Sequence, residues 1–216
     1  MDLNSIIYNI AVWTIPVLFA ITIHEVTHGW VANMLGDKTA KMLGRLSLNP
    51  VKHIDPIGTI AVPLAMVVLP TGFIFGWAKP VPVSTRNFKS PRKDMAIVAA
   101  AGPISNLIMA VFWVFVFKLG SSVIPDPAIA QGITAMGRAG ILINLILFVF
   151  NLFPIPPLDG SKVLSGFLPR SLANLMDKIE PYGLFIVLGL VYLGVLNTIM
   201  DPILNFFLFT IGSLFF

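Results

Sequence analysis

The chain has 216 residues, of which 56% are hydrophobic and only 11% charged, with a mean hydropathy of +0.89. Soluble domains carry roughly 25% charged residues, so these figures exclude a disordered chain and argue against a soluble globular one. The same apolar surface is at home in a lipid bilayer. Cysteine is absent, which excludes disulfides and thiolate metal sites. The net charge is a modest +4, and no basic run with interleaved aromatics occurs, so nucleic acid is excluded as a partner.

The first apolar stretch covers residues 3–35 and holds no Lys or Arg, so it lacks the basic leader of a signal peptide. As a helix it reaches about 50 Å, more than the hydrocarbon core of about 30 Å, so it must tilt or emerge. Residues 57–77 are also apolar but are interrupted by Gly58, Pro63, Pro70, Gly72 and Gly76. A clean span follows over 95–118, with Asp94 as its expected N-cap. Another covers 133–153. The last third predicts a span over 182–197, a break or cap at Asp201-Pro202, and an apolar end to 216. Between them, Leu172, Leu175, Met176 and Ile179 recur at helical spacing, which predicts a short amphipathic helix over 171–180 lying on the cytoplasmic interface.

Basic residues set the orientation. If 57–77 crossed the bilayer, the 14 Lys and Arg would divide into six and eight; if it dips in and returns, they divide into twelve and two. The positive-inside rule selects the second arrangement. Residues 57–77 are therefore read as re-entrant, the N-terminus as outside, and the loops 36–94 and 154–181 as cytoplasmic. The fold class is an all-α polytopic membrane protein of five to six transmembrane or re-entrant segments. It forms a single domain over 1–216, with a core at about 10–170 and C-terminal helices at about 182–216.

Ionisable groups inside an apolar span are functional candidates by default. His24-Glu25-Val26-Thr27-His28 lies in the first span. The two histidines are four apart, so they share a helix face and can hold one metal ion, with Glu25 on the adjoining strip. This is the HExxH arrangement of zinc hydrolases, with Glu as general base. A buried proton relay or a cation site of a transporter or proton-coupled channel is the alternative use of the same residues. A catalytic zinc needs a third protein ligand. The remaining donors are His53 and a few acids, among which Asp159 stands out. It closes the stretch Asn151-Leu152-Phe153-Pro154-Ile155-Pro156-Pro157-Leu158-Asp159-Gly160 directly after an apolar span. Its three prolines end the helix, and non-helical backbone at that depth must line protein or a water cavity.

HEVTH in an early span, with NLFPIPPLDG near a later one, resembles the site-2 protease family of intramembrane zinc metalloproteases. Ala101-Gly102-Pro103-Ile104-Ser105-Asn106 is similar to that family's GPxxN signature, and segments 49–59 and 76–83 resemble its compact bacterial and archaeal members. The likeness covers about residues 10–170. It implies His24, His28 and Asp159 as ligands of one zinc ion per chain, with Glu25 as base. It also implies Asn106 as a donor to the substrate carbonyl and Asn151 in a supporting role. His53 is read as supporting rather than ligating, because Asp159 already completes the set. The implied activity is an endopeptidase of the plasma membrane cutting membrane-anchored proteins, its active site nearer the cytoplasm. Departures are the lack of PDZ-like or CBS-like modules and of a helix before the HExxH helix, and the long insertion 57–77. Short extended strands are expected near the site, over 44–48 or 77–83, where an unwound substrate would add to an edge.

Overall fold

The computed structural model describes residues 3–68 and 76–215. The helices are α1 (Leu3–Met34), the short turn α2 (Thr39–Met42), α3 (Val62–Val68), α4 (Pro91–Lys118), α5 (Pro127–Asn151), α6 (Asp159–Phe167), α7 (Arg170–Ile179), α8 (Gly183–Tyr192) and α9 (Val195–Phe215). A π-helical turn over Pro56–Ala61 leads into α3. Among the described residues, four helices are long and apolar enough to cross a membrane: Asn4–Met34, Pro91–Val123, Pro127–Asn151 and Val195–Phe215. The chain is an all-α, multi-pass membrane protein.

Helix starts follow a local rule. Proline at the first helical position needs no backbone N–H, and a polar residue before it can accept from the free amides. Asn49-Pro50, Asp55-Pro56 and Asp126-Pro127 each start a helical turn this way, with the side chain accepting from one or two amides just ahead. Ser90-Pro91 starts α4, so the expected cap at Asp94 falls one turn inside the helix. Its carboxylate instead reaches back to the Ser90 N–H at 2.9 Å. Likewise α5 begins six residues before the apolar run, because Asp126 caps it.

The expected break at Asp201-Pro202 does not form. Helix α9 runs through Pro202, and the chain turns instead at Gly194, whose φ of 72° is open chiefly to glycine. Proline removes one helical donor, a defect that membrane helices tolerate. The span expected over 182–197 becomes α8, ten residues and so about 15 Å long, too short to cross.

Helix α4 sits at the centre, packed against α1, α5 and α6. Lipid supplies no hydrophobic drive between helices, so close approach of small residues carries the packing. A side chain at Gly140 of α5 would collide with Trp113 of α4, and one at Gly166 of α6 with Ala96 of α4. One apolar cluster joins Trp113, Val114, Leu145 and Ile211; a second gathers Val149, Phe153, Leu158, Val187 and Leu196. Many other large apolar side chains, such as Phe19, Ile108 and Phe209, stay exposed, as a lipid-facing surface requires.

The insertion 57–77 leaves and returns at one place. Trp77 N–H donates to the Gly58 carbonyl at 3.0 Å, and Thr59 Oγ1 donates to the Trp77 carbonyl at 2.8 Å. Its outward limb is helical from Pro56 to Val68, and residues 69–75 lie outside the described residues. A segment with joined ends makes no net crossing, which agrees with the re-entrant reading. The expected strands do not form: among the described residues, 45–49 and 76–84 are extended but build no β-ladder. Both lie across α1, where Leu46 and Val81 press on Gly29.

Candidate metal centre

His24 and His28 project from one face of α1, and Asp159 is the first residue of α6. Their ligating atoms converge. His24 Nε2 and His28 Nε2 are 3.0 Å apart, and Asp159 Oδ2 lies 3.2 Å from the first and 3.3 Å from the second. The protonation of both rings follows from their other nitrogens. His28 Nδ1 faces the Val98 carbonyl at 2.7 Å, and a carbonyl only accepts, so Nδ1 carries the proton. His24 Nδ1 faces Asn106 Oδ1 at 2.6 Å and is protonated for the same reason. In the neutral rings each Nε2 is then the lone pair, and Asp159 Oδ2 is a buried oxygen with no hydrogen-bond partner.

Three acceptors facing one another repel unless a cation lies between them. A tetrahedron with bonds of about 2.1 Å has edges of about 3.4 Å, close to the three separations here, so the donor set fits zinc. Among the described residues this is the one group of three His, Asp or Glu able to hold a metal.

The surrounding elements aim these ligands. A side chain on Gly102 of α4 would overlap His28 Nε2 and the Cε1 atoms of both imidazoles, so glycine is what lets α4 back the pair. A side chain on Gly160 would strike the backbone carbonyls of Leu152 and Phe153, which explains the glycine after Asp159. Helix α6 is clamped at its far end by Arg92, whose Nη2 donates to the Ser165 and Leu168 carbonyls. The Pro156-Pro157 peptide in the preceding loop is cis.

Glu25 is half-buried, and its Oε2 accepts the Val81 N–H at 2.7 Å. The segment carrying Val81 is tied down on both sides. Lys79 N–H donates to the His53 carbonyl at 2.9 Å, and Arg45 Nη2 donates to the Lys79 carbonyl at 2.9 Å. Beyond Val81, the fully buried Asp37 accepts from Ser84 N–H, Asn87 Nδ2 and Thr39, by both its N–H and its hydroxyl. Burial works against the Asp37 carboxylate, but the hydrogen bonds from Thr39, Asn87 and Ser84 outweigh it and hold its pKa below the ordinary carboxylate value.

The remaining expected residues fall as follows. Asn106 is fully buried beside His24, but its amide nitrogen donates to the Ala20 carbonyl at 3.2 Å and to Asn144 Oδ1 at 3.0 Å. Both of its N–H groups are thus engaged, and its oxygen orients His24, so in this geometry it is no donor to a substrate carbonyl. His53 stands apart from the ligands, buried, with Nε2 donating to the Ser47 carbonyl at 2.8 Å; it braces the 47–53 loop. Asn151 bonds back to the Leu147 carbonyl in its own helix. Sequence reasoning missed Asn144 and Asp37. A lone carboxamide within an apolar run was the available signal for Asn144, whereas the partners of Asp37 lie as far as 50 residues away.

The chain is similar to known proteins. The model of peptidase family M50 matches residues 119–194. The chain is 40% identical over 195 residues to YwhC of Bacillus subtilis, named as a candidate zinc metalloprotease; the match spans 88% of this chain and 84% of YwhC. It is 29% identical over 189 residues to Rip2 of Mycolicibacterium smegmatis, named likewise, spanning 83% of this chain and 66% of Rip2. A protein of Methanocaldococcus jannaschii with the same kind of name is 41% identical over 82 residues, 37% of each chain. No solved structure matches the chain. Four apolar helices and this likeness make the chain a multi-pass membrane metalloprotease. The chain belongs to peptidase family M50.

Proposed function

We propose that this protein is an intramembrane zinc endopeptidase that hydrolyses membrane-anchored proteins within or near a transmembrane segment. The observation that carries the reading is the donor-free triangle of His24 Nε2, His28 Nε2 and Asp159 Oδ2 inside a membrane helix bundle. These residues would hold one zinc ion per chain. Zinc bound there supplies an activated water and polarises the scissile carbonyl.

The chain's own groups do the rest. Glu25, held through Oε2 by the Val81 amide, takes a proton from the attacking water and delivers it to the departing amine. His28 lies six residues before the end of α1, so about 9 Å of helix separates the centre from the loop side, a short path for water. By the positive-inside argument that side is the cytoplasm, and the membrane is the plasma membrane. A helical substrate hides its carbonyls in its own hydrogen bonds and must be unwound. Among the described residues the backbone N–H groups of Leu46, Ser47 and Leu48 have no partner, so an extended substrate segment can pair beside α1 there.

The test is metal analysis of purified wild type beside His24→Ala and Asp159→Ala, with cleavage of a single-span reporter followed in vesicles. About one zinc per wild-type chain, lost in both variants together with cleavage, is expected. Zinc content unchanged by Asp159→Ala would remove the assignment.

A further inference from the structure

Asn144 on α5, Asn106 on α4 and His24 on α1 form a buried chain of side-chain contacts across three spans. Both carboxamides are fully buried. Asn144 Nδ2 donates to the Gly140 carbonyl at 2.9 Å, and Asn144 Oδ1 accepts from Asn106 Nδ2 at 3.0 Å. Asn106 Nδ2 also donates to the Ala20 carbonyl at 3.2 Å, and Asn106 Oδ1 meets His24 Nδ1 at 2.6 Å.

We propose that Asn144 is a positioning residue for the metal centre: it holds Asn106 in the one orientation that leaves His24 Nε2 bare toward the metal. The proposal deepens the zinc reading above and rests on it.

The direction of every bond follows from two backbone groups. The Gly140 carbonyl can only accept, so the nitrogen of Asn144 faces it and the oxygen of Asn144 faces Asn106. The Ala20 carbonyl can only accept, so the nitrogen of Asn106 faces Ala20 and Asn144 and its oxygen faces His24. His24 Nδ1 must then be the protonated nitrogen, and Nε2 the ligating one. The chain is read from carbonyls whose role is fixed, so no choice of amide flip remains open.

Turning the Asn106 carboxamide over reverses all of this. Its oxygen would face two other oxygens, of Ala20 and Asn144, and its nitrogen would face His24 Nδ1. The imidazole would have to move its proton to Nε2, which would then point at Asp159 Oδ2 and His28 Nε2 and occupy the place of a metal ion. Asn144 supplies one of the two oxygens that forbid the turn, and at 3.0 Å against 3.2 Å the closer one. Groups that fix a ligating imidazole through its far nitrogen alter metal affinity by about 10–100-fold when removed. Here the control reaches one residue further, to a side chain on a different helix.

The experiment compares wild type, Asn144→Leu, Asn144→Ala and Asn144→Asp in detergent micelles. The nitrogen spectrum of 15N-histidine-labelled, metal-free protein reports the His24 tautomer, and competition with a chelator reports zinc affinity. In wild type His24 is protonated at Nδ1. In the leucine and alanine variants the Nε2-protonated form appears, and zinc affinity falls about 10–100-fold. Asn144→Asp keeps an oxygen toward Asn106, so its tautomer and affinity stay near wild type. Alanine is accepted by any helix, so it gives the reading even if leucine is not accommodated. A folded alanine or leucine variant with the wild-type tautomer and wild-type zinc affinity overturns the proposal. A wild type that binds no zinc overturns the metal reading instead, and the metal-free tautomer comparison still decides this one.

Discussion

Val81 and Glu25, 56 residues apart in sequence, meet through a single hydrogen bond of 2.7 Å from the Val81 amide to Glu25 Oε2. The donor is backbone, so no exchange at Val81 short of proline removes it. Its position depends on the ties at either end of the 76–87 segment, and so Glu25 is held by residues that stand apart from His24, His28 and Asp159.

Glu25→Gln keeps the size and the contact to Val81 but cannot take a proton. Cleavage is expected to fall by about 10²–10⁴-fold, while zinc content measured by elemental analysis stays at the wild-type level. Loss of zinc in this variant would make Glu25 a ligand and not the base.

Asp37→Ala leaves the Ser84 and Thr39 amides and the Asn87 carboxamide without their acceptor. A loss on the order of 3 kcal/mol in stability follows from so many unmet donors, with reduced cleavage because Val81 loses its anchor. Because the folded-state pKa of Asp37 is lowered, its stabilisation is fully present above the unfolded value of about 3.9 and is lost as pH falls through the folded value. Melting temperatures of wild type and Asp37→Asn should therefore differ most near neutral pH and draw together below about pH 4. A constant difference down that range would show that the charge contributes nothing.

Gly102→Ala places a methyl group where the two imidazoles already sit. Overpacking of this kind costs about 1–3 kcal/mol, and the histidines are what must move. Zinc affinity by chelator competition should drop at least about fivefold, with the helix content by circular dichroism unchanged.

Leu48→Pro tests the proposed substrate edge. The Leu48 side chain is 69% exposed, so little packing is lost, but the free backbone N–H disappears. Cleavage should fall while zinc binding persists, and Leu48→Ala should cleave normally. Equal cleavage by both variants would place the substrate elsewhere.

The joined ends of the 57–77 insertion predict that residues before and after it face the same compartment. With no native cysteine to interfere, single cysteines at Lys52, Lys89 and Ser122 can be probed with an impermeant maleimide. Ser122→Cys should label in intact cells, and Lys52→Cys and Lys89→Cys only after lysis. Opposite labelling of 52 and 89 would make the insertion a true crossing.

The histidine pair was legible because helical spacing alone puts residues 24 and 28 on one face, and Asp159 because prolines cannot continue a span. The amphipathic α7 was legible for the same reason of period. Boundaries were less so: the Asp126 cap and the proline at the first position of α4 start helices ahead of their apolar runs, since such signals act on the backbone and leave no trace in hydropathy. Pro202 misled because its local defect is small against the apolar surroundings of α9, while Gly194, eight residues earlier, makes the turn. Asn106 lies beside His24, yet its orientation depends on Ala20 and Asn144, on two other helices, which no reading along the chain connects to it.

The clasp between Trp77, Gly58 and Thr59 closes the foot of the insertion before Lys79 and Val81 take up their places. The clasp thereby fixes where the strap carrying Val81 begins. A shorter or longer insertion closed by the same clasp should leave the Val81 amide at the same address beneath Glu25.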